Sequence, residues 1–455
     1  MRDLTVGKES KLILKFATPM LLANIFQQTY TLVDVAIIGH SHIGESGIAA
    51  ITNAFFIIFS LIALIIGISI GFNIVIAQYF GAKNTEKLKL TIDTLVIFLL
   101  VASVIISLTG ILSSGLIFNL IAVPKEIMPL AKSYINVYFI GVIAFFGFNG
   151  VNAVLRGLGD STTPLVFMII ASVINIILDY VFIIKLSLNI QWAAIATIIA
   201  QGGVFIASVI YLNKTHTIIH FSFTRLRFDK DIFKSTLRIG IPAGLQSTFV
   251  GLGNLALMSI INPFGQTISA AYGIVSRIDS LAAMPAMNFA AALSTFVGQN
   301  IGANKYHRVK KGFQATLIMT SIIAITVTLV VVLFPNAIMK LFTNSPGIIA
   351  VGTDYFTIVC SFYIVFTTMM TIGGVMRGAG DTLVPMFITL FALWGIRIPL
   401  AYFLSKTSLQ QDGIWLAIPI AWFIGMTFSY IYYKIGKWKN KSIIKHNVVD
   451  DVITG

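Results

Sequence analysis

The sequence has few charged residues and a single cysteine. Asp, Glu, Lys and Arg make up only 11% of its 455 residues, whereas 57% are hydrophobic. A soluble protein is about one quarter charged, so these polar side chains are too few to cover a surface in water. The one cysteine, Cys360, lies in an apolar run, which excludes a disulfide framework and a thiolate metal site. We therefore expect an integral membrane protein whose outer surface faces lipid.

Twelve apolar runs are long enough to cross a bilayer, which takes about 20 residues in a helix. The first six fall near 12–33, 47–75, 91–120, 133–155, 163–185 and 190–212, and the second six near 237–261, 268–297, 313–342, 353–376, 384–405 and 413–434. Of the 31 lysines and arginines, 24 lie on the side of the N-terminus and 5 on the other, with Arg277 and Arg397 inside spans. This bias predicts a multi-pass membrane protein with both termini in the cytoplasm. It also explains the net charge of +14 without a nucleic-acid partner.

An internal repeat divides the chain into two halves. The motif Leu-Arg-Gly-Leu-Gly-Asp at 155–160 returns as Met-Arg-Gly-Ala-Gly-Asp at 376–381, an offset of 221 positions (377 − 156), and Gln78 matches Gln299 at the same offset. Each half holds an even number of spans, so both halves enter the membrane from the same side. We predict an all-α integral membrane protein with twelve transmembrane helices in two parallel six-helix lobes, related by pseudo-twofold symmetry along the membrane normal.

The predicted boundaries follow from this repeat. They are 1–212 for the N-terminal lobe, 213–236 for a basic cytoplasmic linker, 237–434 for the C-terminal lobe and 435–455 for a cytoplasmic tail. In each repeated motif we expect the glycines to end a helix. We also expect the arginine and the aspartate of each motif to form an ion pair.

Ionisable side chains inside spans are the first candidates for function, because each costs roughly 2.5–3.5 kcal/mol to insert. Asp34 closes the first span, and Asp179 follows Asn175 by four residues, on the same face of the fifth helix. Neither aspartate has an acidic partner in the second half, where a symmetric structural role would have repeated. A carboxylate that only braces helices through hydrogen bonds remains the alternative for both.

The other polar positions inside spans favour structural roles. Arg277 and Asp279 are two residues apart, so each should meet a partner on another helix, and Arg397 should have a structural partner or reach towards the interface. Asp279 remains a candidate contact for a cation or substrate.

His40 and His42 flank an external turn and are expected to be solvated rather than metal-bound. Flexible thioethers suit a promiscuous lining, for which we select Met284, Met287 and Met369.

These motifs resemble those of the multidrug and toxic compound extrusion (MATE) family. The resemblance covers nearly the whole chain and includes Ile-Ala-Gln-Tyr-Phe-Gly-Ala at 76–82 and its repeat, Val-Gly-Gln-Asn-Ile-Gly-Ala, at 297–303. Membership implies an exporter in the cell (inner or plasma) membrane that acts on amphipathic, often cationic compounds. It implies alternating access driven by a proton gradient or by a sodium gradient. It implies no enzymatic activity and no cofactor beyond the coupling ion. We expect a monomer in contact with membrane lipid.

The branch related to DNA-damage-inducible F proteins has a polar cluster in its first lobe that this sequence matches. The resemblance implies that protons, or sodium, bind at Asp34, Asn175, Asp179 and Thr197. It adds Gln27, Tyr134 and Asn149 as cavity residues, beside Asp279 and the three methionines. The other main branch uses acids in its seventh and tenth helices, where this chain offers only Asn254 and Thr367–Thr368. A sodium site in the second lobe is therefore disfavoured.

Two other functions stay open. A lipid-linked oligosaccharide flippase of a related fold would need a strongly cationic cavity, but only Arg277 and Arg397 lie inside predicted spans. An importer of a small organic solute is compatible with the same fold. A membrane-embedded enzyme is not expected, because no nucleophile–base pair or metal-ligand cluster falls within the spans.

Overall fold

The computed structural model describes residues 2–120, 123–215 and 226–444, which are almost entirely helical. The first half forms α1 (Glu9–Gly39), α2 (Gly44–Gly81), α3 (Thr85–Leu120), α4 (Met128–Ile140), α5 (Val142–Gly157), α6 (Thr162–Asp179) and α7 (Gln191–Thr215). The second half forms α8 (Lys230–Ile261), α9 (Gln266–Gly302), α10 (Tyr306–Leu333), α11 (Pro335–Lys340), α12 (Pro346–Val359), α13 (Tyr363–Gly378), α14 (Leu383–Leu390), α15 (Ile398–Leu404) and α16 (Gln410–Ile435). Two π-helical segments, Tyr180–Lys185 and Phe391–Arg397, continue α6 and join α14 to α15.

The helices confirm the predicted all-α membrane fold. Ten helical stretches in the described residues are long and apolar enough to cross a membrane. An eleventh span is the pair α4 and α5, which are bent by 50° at Gly141. The twelfth is the 38-residue helix α2, whose stretch from Ile65 to Gly81 is apolar.

The sequence repeat returns in the helix boundaries. Helices α1 and α8 begin at Glu9 and Lys230, and α2 and α9 end at Gly81 and Gly302. Both pairs keep the offset of 221 found in the sequence. The two halves therefore fold by the same local rules, although their sequences differ at most positions.

The described residues form two compact units. The first comprises mainly residues 18–76 and 85–244, and the second comprises 3–17, 77–84 and the chain from Leu245 onward. The start of α1 and the end of α2 thus pack in the second unit. The predicted linker 213–236 overlaps helix ends, because α7 runs to Thr215 and α8 begins at Lys230; residues 216–225 and the tail from 445 lie outside the described residues.

The two Arg-Gly-x-Gly-Asp motifs end α5 and α13 in the same way. Gly159 and Gly380 have φ angles of +80° and +91°, which suit glycine, and the N–H of the following aspartate bonds back to the carbonyl five residues earlier. The predicted ion pairs are wrong. Asp160 accepts hydrogen bonds from the N–H groups of Thr162 and Thr163.

The second aspartate is also occupied elsewhere. Asp381 accepts a hydrogen bond from the Tyr432 hydroxyl over 2.5 Å. Within the described chain, neither Arg156 nor Arg377 forms an ion pair with the aspartate of its turn. The aspartates instead fasten the following helix or a neighbouring one, because short acidic side chains bind free N–H and O–H donors well.

Candidate ion-coupling and substrate sites

Three helices of the first unit bring the predicted coupling residues together. Asp34 lies on α1, Asn175 and Asp179 lie one turn apart at the end of α6, and Thr197 lies on α7. Asp179 and Asn175 are 0% and 2% exposed, whereas Asp34 is partly exposed. Helix α6 passes into its π-helical segment directly after Asp179. Such segments are frequent at functional sites.

The carboxyl groups of Asp34 and Asp179 lie within hydrogen-bonding distance of each other. Apart from this contact, both oxygens of Asp179 and Oδ1 of Asp34 are buried without a hydrogen-bond donor among the described residues. Oδ1 of Asn175 is buried in the same condition. No lysine or arginine of the described chain forms an ion pair with either aspartate. The site therefore presents several acceptor oxygens and lacks the donors that would satisfy them.

Hydroxyl groups surround this acid pair. Asn175 Nδ2 donates a hydrogen bond to Thr197 Oγ1 over 3.3 Å, and Thr197 in turn donates to the carbonyl of Ala193. The Tyr30 hydroxyl lies within hydrogen-bonding distance of Thr197. Tyr134, which is 8% exposed, lies within electrostatic range of both aspartates. Thr197 and Tyr134 therefore lie near the acid pair, and their predicted roles in coupling and in the cavity stay predictions.

Two predicted cavity residues make no hydrogen bond to the acid pair in the described chain. The Gln27 side chain is exposed on α1. Asn149 donates its hydrogen bond to the carbonyl of Phe145, one turn earlier in its own helix. Their assignment to a substrate cavity stays a prediction.

A second polar cluster lies in the second unit around Asp279. Tyr355 donates a hydrogen bond to Asp279 Oδ2 over 3.2 Å, and Tyr363 donates to Oδ1. Asp279 thus meets its partners on other helices, as expected. Arg277, two residues earlier, is exposed.

Aromatic rings and Arg397 complete this second cluster. The rings of Tyr272 and Trp415 stack with their centroids 5.7 Å apart, and the Tyr355 ring meets Trp415 at 5.1 Å. Arg397 lies within hydrogen-bonding distance of Tyr272 and within electrostatic range of Asp279, without an ion pair between Arg397 and Asp279. Arg397 therefore has the structural partner that was expected, inside a cluster that also carries a carboxylate.

The remaining predicted residues differ in their exposure. Met284 and Met369 are buried, whereas Met287 is 56% exposed. His40 and His42 are exposed, and the described residues contain no group of His, Cys, Asp and Glu side chains suited to a metal ion. A shared methionine lining stays a prediction.

Sequence reasoning missed some members of both clusters. Tyr30 precedes Asp34 by four residues, so helical spacing alone places both on one face of α1. Tyr363 and Trp415 carry no such signal, because their partners are distant in the sequence. The repeat supplied one clue, since Tyr134 and Tyr355 match at the offset of 221.

Comparisons with known proteins agree with this architecture. The family model described as MatE matches the chain twice, at residues 19–181 and 242–403. The Probable multidrug resistance proteins YoeA and YpnP of Bacillus subtilis are 32% and 30% identical to this chain. The alignments cover 94% of this chain and 94% of YoeA, and 96% of this chain and 97% of YpnP.

A solved structure has the same fold. It is titled as the outward-facing conformation of a multidrug resistance MATE family transporter of the MOP superfamily, and it superposes with a TM-score of 0.89 at 23% identity. The match covers 96% of this chain and 98% of that one. Assignment to the branch related to DNA-damage-inducible F proteins stays a prediction. The two family-model matches, which span most of both halves, show that the chain belongs to the MATE family.

Proposed function

We propose that this chain is a secondary multidrug transporter that exports amphipathic, often cationic compounds in exchange for protons. The observation that carries the proposal is the contact between the Asp34 and Asp179 carboxyl groups, with their buried oxygens left without donors. The names of YoeA and YpnP as multidrug resistance proteins support export of varied compounds.

The acid pair suits proton exchange because two negative charges at this site repel each other and raise its free energy. Two unit charges 4 Å apart repel by about 4 kcal/mol at an effective dielectric constant of 20. One proton between the carboxyl groups removes this repulsion and turns one acceptor into a donor. Neighbouring tyrosine and threonine hydroxyls leave the total charge unchanged, so the proton or a cation must balance the second carboxylate.

Alternating access converts this exchange into transport. Open to the outside, the pair takes up a proton and releases a cationic substrate. Open to the cytoplasm, it loses the proton and accepts a new substrate. Each proton that moves inward gains about 2.3 kcal/mol per 100 mV of membrane potential.

Sodium is the alternative coupling ion at the same place. Hard cations prefer oxygen ligands, and this site offers carboxylate, amide and hydroxyl oxygens from Asp34, Asp179, Asn175 and Thr197.

In the second unit, we propose that Asp279 and its aromatic neighbours contact the substrate, because aromatic faces attract organic cations. The proposed substrate cavity also includes Gln27, Tyr134, Asn149, Met284, Met287 and Met369.

The test is efflux of a fluorescent organic cation from proteoliposomes under a proton gradient alone, a sodium gradient alone, or neither. We expect proton-driven efflux that falls at least tenfold in Asp34→Asn and in Asp179→Asn. Asp354→Asn, the same substitution at an exposed aspartate, should transport normally. Full proton-driven efflux by Asp34→Asn would remove the acid pair from the mechanism, and efflux under the sodium gradient alone would replace the proton by sodium.

A further inference from the structure

Two repeat-related glutamines are buried in the second unit, and each binds one end of the described chain. Gln78 lies near the end of α2 and Gln299 near the end of α9, and both are 0% exposed. A buried amide must find hydrogen-bond partners. Gln299 finds one in the segment before α1, and Gln78 finds two in the segment after α16.

Gln299 and its neighbours hold the segment that precedes α1. Gln299 Oε1 accepts a hydrogen bond from the N–H of Leu4 over 2.9 Å, and Asn300 Nδ2 donates to the Leu4 carbonyl over 3.2 Å. Leu4 itself is 0% exposed. Lys305 Nζ donates to the carbonyl of Thr5 over 3.0 Å.

Arg308 fastens the same segment at two further points. Its Nη2 donates to the Gly7 carbonyl over 2.8 Å, and its Nη1 lies 3.0 Å from Glu9 Oε1 in a salt bridge. Arg308 Nε donates to Oδ1 of Asn300, which keeps the guanidinium oriented. The segment before α1 is therefore anchored through its backbone, and the first residue of α1 through its side chain.

Gln78 holds the segment that follows α16. Its Oε1 accepts hydrogen bonds from the N–H of Ile443 over 2.9 Å and from the Ser442 hydroxyl over 3.0 Å. Its Nε2 donates to the carbonyl of Gly378, at the end of α13. The same amide thus joins the segment after α16 to the Arg-Gly-x-Gly-Asp turn.

Between the two glutamines, α2 and α9 meet backbone to backbone. A Cβ added to Gly81 would lie 1.9 Å from the carbonyl oxygen of Gln299, and one added to Gly302 would lie 2.0 Å from that of Gln78. These two contacts are reciprocal under the repeat. They seat both glutamines at a single crossing point.

We propose that Gln78 and Gln299 are positioning residues of a terminal clasp, formed by residues 4–9 and 442–443 on the ends of α2 and α9, that opens and closes during transport. The inference rests on the alternating-access part of the proposed function. The clasp lies on the face that the charge bias predicts to be cytoplasmic. Helix α1 carries both Glu9, which the clasp holds, and Asp34, so a change at the acid pair acts on the clasp through one continuous helix.

The test follows exposure of Thr5, whose side chain is 6% exposed while its backbone carbonyl makes the clasp contact. Cysteine is introduced as Thr5→Cys in a Cys360→Ser background, which removes the single native cysteine. Labelling by a membrane-impermeant maleimide is measured in proteoliposomes with the full chain, with and without a fluorescent cation substrate and at two pH values. We expect labelling to change at least fivefold between these conditions, and Asp34→Asn to abolish the response to pH.

Breaking the clasp should expose the cysteine in every condition. Gln299→Leu should speed labelling at least tenfold and lower the maximal rate of efflux, with little change in the half-saturating substrate concentration. Gln314→Leu, the same substitution at an exposed position of α10, should do neither.

The outcomes separate this inference from the proposed coupling. Labelling that is constant in all conditions, together with normal efflux by Gln299→Leu, would make the clasp a static anchor and overturn the inference. Labelling that follows substrate but not pH would support the clasp while contradicting proton coupling. If Gln299→Leu fails to fold, the response of Thr5→Cys alone still decides.

Discussion

Tyr134 of α4 and Tyr355 of α12 stand at the same place in the two repeats, and each lies beside an aspartate. Tyr355 donates a hydrogen bond to Asp279, whereas Tyr134 adjoins the Asp34–Asp179 pair. The tyrosine is therefore common to both repeats, although the aspartates occupy unrelated positions. Each unit keeps a buried phenol next to an acid, and in the first unit that acid is one of a pair.

Removing the Tyr355 hydroxyl leaves Asp279 with Tyr363 as its only tyrosine donor. We expect Tyr355→Phe to destabilise the protein by about 1 kcal/mol, the usual net value of one hydrogen bond. Thermal unfolding of the purified protein in detergent measures this loss. Tyr180→Phe, at a tyrosine that is 48% exposed, is the control. Equal stability of the two variants would show that the Tyr355 contact contributes nothing.

The two acids of the first unit should act as one group. Asp34→Asn and Asp179→Asn should each lower proton-driven efflux more than tenfold. The double variant should transport no more slowly than the less active of the two single variants. Non-additivity of this kind is expected for residues that share one function. Initial rates in vesicles, normalised to the amount of reconstituted protein, provide the measurement. Losses that multiply in the double variant would point to two independent sites.

The crossing of α2 and α9 tolerates only glycine. Gly302→Ala would force its Cβ against the backbone of Gln78, and we expect a loss of about 1–3 kcal/mol in stability, as for other overpacked sites. A Cβ added to Gly273, on the same helix, would have no neighbouring atom within 4 Å. Gly273→Ala should therefore stabilise the folded protein by about 0.5–1 kcal/mol, because the unfolded chain with alanine has less conformational entropy to lose. Thermal unfolding compares the two, and equal effects would contradict the close approach.

Asp229, which precedes α8, should make stability depend on pH. Hydrogen bonds from the N–H of Ile232, then from Lys87 and the N–H of Asp231, hold the pKa of Asp229 below its ordinary value. A depressed pKa adds stability above about pH 4, the ordinary aspartate value, and that stability is lost as the pH falls through the folded-state pKa.

The matching variant is Asp229→Ala, which removes the side chain that caps α8. We expect a loss of about 1 kcal/mol at pH 7, typical of a lost N-cap, with little from the exposed Lys87 ion pair. The difference between the two proteins should shrink as the pH falls towards 3. A constant difference in denaturant midpoints across that range would contradict the argument.

Helical spacing and the repeat predicted the helices and the local residue pairs of this molecule, but they did not predict its long-range contacts. The apolar runs gave the helices because a bilayer demands about 20 apolar residues in each span. Asp179 and Asn175 were paired by their spacing of four. Contacts such as Leu4 with Gln299, separated by 295 positions, leave no periodic trace in the sequence. The Arg–Asp ion pairs were mispredicted because nearby N–H and O–H donors competed for the aspartates.

The second unit is built from three separate segments of the chain, and this has a consequence for biosynthesis. Residues 3–17 and 77–84 leave the ribosome long before the helices on which they pack, and α9 and α13 must be made before these contacts can form. Cutting the chain in the middle would leave the later fragment without two of its own parts. Halves produced separately would therefore need each other in the membrane before the second unit could finish folding.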